Sequence, residues 1–227
     1  VHELSSLLTL LLGQLLHRDL KEYDYFIILG FIMLATLAVF TLATRRLSVD
    51  NPGILQQILE LFVEMVGKFL DDVIGHDGRK YMPIIGAFAV LILLSNLIGL
   101  VPGFMPPTGN IVVTISLGLC SFVTYNLAGF KKLGFGYLKN FMGPVPLMAP
   151  FFCVIELVSH VARPMSLGIR LFGNIFGDHQ VGGVFLSLVP PIVPVPFLLL
   201  GIFVSFVQTL VFSLLSMIYI ALAVEHH

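Results

Sequence analysis

Two apolar stretches near the C-terminal end, 147–189 and 196–224, decide what this chain can become. A perpendicular helical crossing of a bilayer takes about 20 residues. Each stretch exceeds that, so each must tilt strongly or lie partly across the membrane. The run Pro190-Pro191-Ile192-Val193-Pro194-Val195-Pro196 turns one into the other. Pro164 falls inside the first, where it removes a backbone hydrogen bond and crowds the preceding turn, so a bend is expected there.

The composition agrees with a membrane setting. The chain is 57% hydrophobic and 11% charged, against about 45–50% and about 25% in soluble domains. A net charge of −1 gives no basic field for nucleic acid. Cys120 and Cys153 sit singly in apolar segments and read as small buried hydrophobes. No Cys/His cluster has zinc spacing, and neither a Walker loop nor a nucleophile elbow occurs, so no cofactor and no covalent chemistry are expected.

In chain order, 1–22 contains an apolar run from Leu7 to Leu16 that is too short to span and reads as an interfacial segment. Residues 23–43 form a first span, stopped by Arg45 and Arg46. Residues 52–73 alternate apolar and charged faces at helical spacing, so an amphipathic helix follows. Its apolar face suits a membrane surface or a partner subunit equally. Residues 81–130 make a transmembrane hairpin, 81–101 and 111–130, around the turn residues Pro106, Pro107, Gly109 and Asn110. The tilted pair occupies 147–225. The expected fold is therefore an all-α integral membrane protein of one membrane domain, 1–227. It has about five membrane helices and an amphipathic surface helix, the last two membrane helices long and strongly tilted.

Basic residues give an orientation. Arg45, Arg46, Lys68, Arg79, Lys80, Lys131, Lys132 and Lys139 fall on one side, and the turns at 102–110 and 190–196 carry no Lys or Arg. The first side is cytoplasmic by the positive-inside rule, which puts the N-terminus outside and the C-terminus inside.

The chemistry concentrates in Glu156–Asp178. On a helical wheel Glu156, His160, Arg163, Arg170, Asn174 and Asp178 share an arc of roughly 80°, with Leu157, Val161, Met165 and Ile175 assigned to the opposite face. A charge at the bilayer centre costs about 2.5–3.5 kcal/mol, so such a stripe faces a protein interior or a watery path. An arginine stays protonated in proteins, so Arg170 cannot relay protons but can act as a fixed charge. Glu156, His160, Asp178 and His179 can take and release protons. A fixed cation flanked by titratable groups describes a proton route with a barrier in it. His160 also fits a satisfied interior histidine, and Arg163 a structural anchor. On the last helix Ser205, Gln208, Thr209, Ser216 and Tyr219 cluster within about 100° of arc around Phe212 and answer the stripe, with Asn174 and Gln208 in position to hydrogen-bond. Gly168, Gly173, Gly177 and Gly201 serve either close helix packing or a channel.

The run Pro164-Met165-Ser166-Leu167-Gly168-Ile169-Arg170-Leu171-Phe172-Gly173-Asn174 resembles the signature of subunit a of F-type rotary ATP synthases, bacterial type. Ser95–Pro102 resembles that family's earlier hairpin helix, and Glu156, Gln208 and Tyr219 fall where the family places a carboxylate, a glutamine and an aromatic. The resemblance implies a non-catalytic, proton-translocating stator subunit in a bacterial inner membrane. Its implied partners are a ring of c subunits, peripheral-stalk b subunits, the rest of the complex and the bilayer. It implies two offset half-channels separated by Arg170, an inner one at Glu156 and an outer one at Asn174, Asp178 and His179, with Gln208 on the facing helix. His160, Arg163, Ser205 and Tyr219 are secondary candidates. Several members carry a titratable residue seven positions before the glutamine, where this chain has Gly201, so the outer relay is expected to lean on Asp178 and His179. A stand-alone transporter would show internal repeats, which are not found, and an intramembrane hydrolase would need a nucleophile motif.

Overall fold

The computed structural model describes residues 24–44, 48, 52–75, 77–101, 104–134, 149–188 and 194–224. Six helices carry the fold among these residues: α1 (Asp24–Thr44), α2 (Ile54–Ile74), α3 (Met82–Ile98), α4 (Ile111–Leu133), α5 (Ala149–Leu188) and α6 (Pro194–Val224). Short 3₁₀ turns at Gly78–Tyr81 and Pro107–Gly109 precede α3 and α4. The segment 1–22, Arg45–Arg46, Lys139 and its loop, Pro190–Val193 and Glu225–His227 lie outside the described residues.

α1, α3 together with the 3₁₀ turn before it, α4 and α6 are each long and apolar enough to cross a membrane. α5 carries its polar stripe instead, and its 40 residues extend about 60 Å, twice the roughly 30 Å hydrocarbon core. The 31 residues of α6 extend about 46 Å. Both must incline steeply to stay within a bilayer. The chain is thus an all-α, multi-pass membrane protein.

α6 is the centre of the bundle. Phe212, Met217, Ile220, Ala223 and Val224 join Val66 and Leu70 of α2, Ile85, Phe88 and Ile92 of α3, Tyr125 and Ala128 of α4, and Leu167 and Leu171 of α5 in one core. Phe88 meets Phe212 edge-on at 5.7 Å, a geometry aromatic quadrupoles favour. Lipid is as apolar as these side chains, so shape and small residues hold membrane helices together. At the α4–α5 contact, a Cβ on Gly118 would collide with the carbonyl oxygen of Pro164. One on Gly168 would come within 2.9 Å of the Thr114 carbonyl.

α2 divides its apolar row. Val66 and Leu70 enter the core, while Ile54, Leu55, Ile58 and Leu61 remain exposed. Its charged face is held by Lys68–Glu64 at 2.8 Å and by Arg79 on Asp71 at 2.8 Å. α3 ends at Ile98, earlier than the apolar run to Val101, because Gly99 and Leu100 already turn. The hairpin tip is fastened inside: Thr108 Oγ1 donates to Asn96 Oδ1 at 2.8 Å, both residues buried. Asn110 then caps α4, its Oδ1 accepting from the Val112 amide at 2.8 Å.

Candidate functional site

All seven candidates in the stretch 156–179 lie on the continuous helix α5. Its buried side is formed by His160, Pro164, Leu167, Gly168, Leu171 and Ile175. On the same wheel that face is centred roughly 75° from Glu156. The polar stripe therefore borders the packed face rather than forming it. This corrects the placement of Ile175, which is 4% exposed and packed inside. The cause is the Gly118–Pro164 and Gly168–Thr114 backbone approach, which turns that side of α5 toward α4. Leu157, Val161 and Met165 are exposed, as their wheel positions suggest.

The stripe splits into an N-terminal cluster, a middle and a C-terminal end. In the N-terminal cluster Arg163 Nη2 donates to Glu156 Oε1 at 3.1 Å, and its guanidinium stands 5.6 Å above the Tyr219 ring of α6. That cation–π placement adds about 0.5–1 kcal/mol at an exposed site. His160 is buried against α4, with Nε2 2.9 Å from Asn126 Oδ1. Asn126 Nδ2 donates to the Phe122 carbonyl at 2.8 Å, so its oxygen faces the imidazole and Nε2 carries the hydrogen. Phe122 and Tyr125 contact the same ring edge-on at 5.0 and 5.2 Å. Sequence reasoning missed Phe122, Tyr125 and Asn126. The signal available was a polar amide and a phenol in an otherwise apolar span, two residues that need partners.

In the middle, Arg170 is exposed on the outer surface of α5, and no carboxylate among the described residues pairs with it. One turn on, Asn174 Nδ2 donates to Gln208 Oε1 at 2.7 Å, joining α5 to α6 as expected. Of the other polar residues of α6, Tyr219 also meets the stripe, beneath Arg163, whereas Ser216 turns to α4, which corrects its assignment to the arc facing α5. Ser205 Oγ donates to its own helix at Gly201, Thr209 Oγ1 to Ser205, and Ser216 pairs with Ser121 of α4 at 2.9 Å. α6 lies between α3, α4 and α5, so a single polar arc cannot face α5 alone.

At the C-terminal end of the stripe Asp178 is half-buried, and the His179 imidazole reaches the backbone of Gly99 after α3. A Cβ on Gly99 would stand 3.1 Å from His179 Nε2 and 2.5 Å from Pro106, so only glycine leaves this approach open. Gly201 faces Leu100, whose Cδ2 lies 2.7 Å from where a Cβ would stand. Leu100 occupies the place that a longer side chain at 201 would need. Gly168 and Gly201 are thus packing positions, whereas Gly173 and Gly177 face open space.

The sequence profile described as ATP synthase A chain matches residues 25–221. The chain belongs to that family. ATP synthase subunit a 1 of Syntrophotalea carbinolica is 46% identical over 194 residues, covering 86% of this chain and 82% of that protein. ATP synthase subunit a of Bdellovibrio bacteriovorus is 43% identical over 213 residues, 90% of this chain and 93% of that one. ATP synthase subunit a of a Sulfurihydrogenibium species is 37% identical, covering 86% and 94%. The matched residues include the whole α5 stripe and both residues of the Asn174–Gln208 bridge.

Proposed function

We propose that this chain is the proton-translocating stator subunit of an ATP synthase membrane sector, a non-catalytic part of a complex that makes ATP. Family membership supports the assignment to that complex. The observation that carries the mechanism is the exposed Arg170 on a membrane helix. A cation there costs about 2.5–3.5 kcal/mol unless a partner or water meets it. A passing carboxylate on a rotating c-ring is such a partner. Arg170 holds that carboxylate ionised while it is between access routes and repels protons that would cross directly.

Glu156, partnered by Arg163 near Tyr219, serves the inner half-channel, with His160 beside it. Asp178 and His179, near the hairpin tip, serve the outer one, with Asn174 and Gln208 between. Peripheral-stalk b subunits brace the static side. The basic loops face the cytoplasm of a bacterial inner membrane, the N-terminus lies outside and the C-terminus inside. Cysteines at Ser166 and Gly173, both exposed about one turn from Arg170 on its own side of α5, test the ring contact by oxidative cross-linking to a cysteine flanking the ring carboxylate. A ring cross-link that blocks rotation is expected. Cross-linking only to lipid-facing control positions would reject the reading.

A further inference from the structure

Pro164 has no N–H, so the carbonyl of His160 one turn earlier loses its helical donor. His160 is buried, and an unpaired buried carbonyl is costly. Helix α4 supplies the replacement. Tyr125, itself 1% exposed, donates its hydroxyl to the His160 carbonyl at 3.5 Å. That is long for such a bond, and the grip is completed by neighbours. Phe122 and Tyr125 hold the His160 ring edge-on, and Asn126 holds its Nε2. Two turns back along α4 from Tyr125, Gly118 rests on the carbonyl of Pro164 itself. Tyr125 also meets Tyr219 of α6 at 5.8 Å, so one side chain ties three helices at the proline position.

Arg170 lies six residues beyond Pro164, about 9 Å along the axis. A swing of about 10° at Pro164 would displace it by roughly 1.5 Å over that arm. Errors of about 1 Å in a reacting geometry can cost about a hundredfold in rate. We propose that Tyr125 is a positioning residue: its hydroxyl fills the hydrogen-bond gap left by Pro164 and fixes the direction of the α5 segment that carries Arg170. This rests on the role of Arg170 proposed above.

Tyr125→Phe keeps the ring and its edge contacts and removes only the hydroxyl. Pro164→Ala returns an N–H to the helix and with it a donor for the His160 carbonyl. Both are measured in the complete, reconstituted complex, with fluxes normalised to assembled protein. Tyr125→Phe is expected to lower coupled ATP synthesis roughly three- to tenfold and to raise passive proton leak. In the Pro164→Ala background the same change should lower synthesis by less than about twofold. A purely structural role would reduce the amount assembled and leave the ratio of leak to synthesis at its wild-type value. Spin labels at Leu119→Cys and Phe176→Cys, both exposed, with Cys120→Ser and Cys153→Ser, report the angle directly. Their distance distribution should shift or broaden in Tyr125→Phe. An equal loss in both proline backgrounds, an unchanged leak ratio or failure of Tyr125→Phe to assemble would each overturn the proposal. Arg170→Ala run alongside separates the two readings. If it retains synthesis, the role of Arg170 fails. If it loses synthesis while Tyr125→Phe behaves as wild type, only this inference fails.

Discussion

Asn174 on α5 and Gln208 on α6 are joined by a 2.7 Å hydrogen bond one turn beyond Arg170. Gln208 is 3% exposed, so its amide has little water to turn to if Asn174 is removed. Interhelical bonds of this kind in membranes contribute about 0.6 kcal/mol on average and up to about 1.7. We expect Asn174→Leu and Gln208→Leu to be non-additive: the double variant should be scarcely less stable than either single, with a coupling of about 0.5–1.5 kcal/mol. Thermal unfolding in detergent measures this cycle, and full additivity would show that the bond carries no weight.

The glycines divide in the same test. Gly118→Ala places a Cβ against the Pro164 carbonyl, a backbone atom that cannot swing aside. Overpacking of this sort costs about 1–3 kcal/mol. Gly173→Ala meets nothing within 4 Å. The first should lower thermal stability and assembly, and the second should leave both near wild type in the isolated chain. If Gly173→Ala nevertheless impairs the assembled complex, the open face beside Arg170 is where a partner approaches.

What was legible in the sequence follows from which forces are local. The apolar runs of α1, α3, α4 and α6 stand out because a bilayer demands about 20 apolar residues whatever the fold around them. Asn174 and Gln208 could be paired from sequence because a primary amide in an apolar helix needs a partner, and each lay on the arc facing the other. The rotation of α5 could not. It is set by Gly118 and Gly168 admitting the backbones of Pro164 and Thr114, a contact between helices that no wheel of one helix contains. That is why the wheel places Ile175 on the face opposite the stripe while the bundle packs it inside. The partners of His160 were hidden for the same reason, since Asn126 lies 34 residues away in sequence.

Orientation is tested by labelling. The C-terminal end of α4 carries Lys131 and Lys132, and positive residues stay on the cytoplasmic side. Lys132→Cys, in a chain with Cys120→Ser and Cys153→Ser, should resist an impermeant thiol reagent in sealed cells and react once the cells are opened. Ready labelling from outside would reverse the proposed topology.

The outer relay is expected to run through Asp178 and His179, because Gly201 offers no titratable side chain and Leu100 fills the space beside it. Either group alone still leaves one proton acceptor at that end. Asp178→Asn with His179→Ala should therefore slow proton conduction by well over the product of the single effects. Wild-type flux in the double variant would remove the pair from the path.

The two arginines of α5 give the sharpest contrast. Arg163 has its counter-charge within the chain, Glu156 at 3.1 Å, and a ring beneath it. Arg170 is exposed and lacks a carboxylate partner among the described residues. If Arg170 serves a carboxylate on a moving ring, two needs follow. The carboxylate must be held ionised between the half-channels, and protons must not pass straight across. A permanent cation meets the first by attraction and the second by repulsion. Lysine is a compact point donor whose charge is easily lost on burial, so it meets them poorly. Alanine meets neither. The driving force is about 2.3 kcal/mol per charge for each 100 mV, so even a modest leak dissipates it. Arg170→Ala should abolish coupled ATP synthesis while permitting passive proton flux, and Arg170→Lys should lose synthesis with less leak. Arg163→Ala frees only Glu156 and should keep part of the coupled activity. ATP synthesis and passive flux in reconstituted vesicles measure all three, and normal synthesis by Arg170→Ala would end the proposed role.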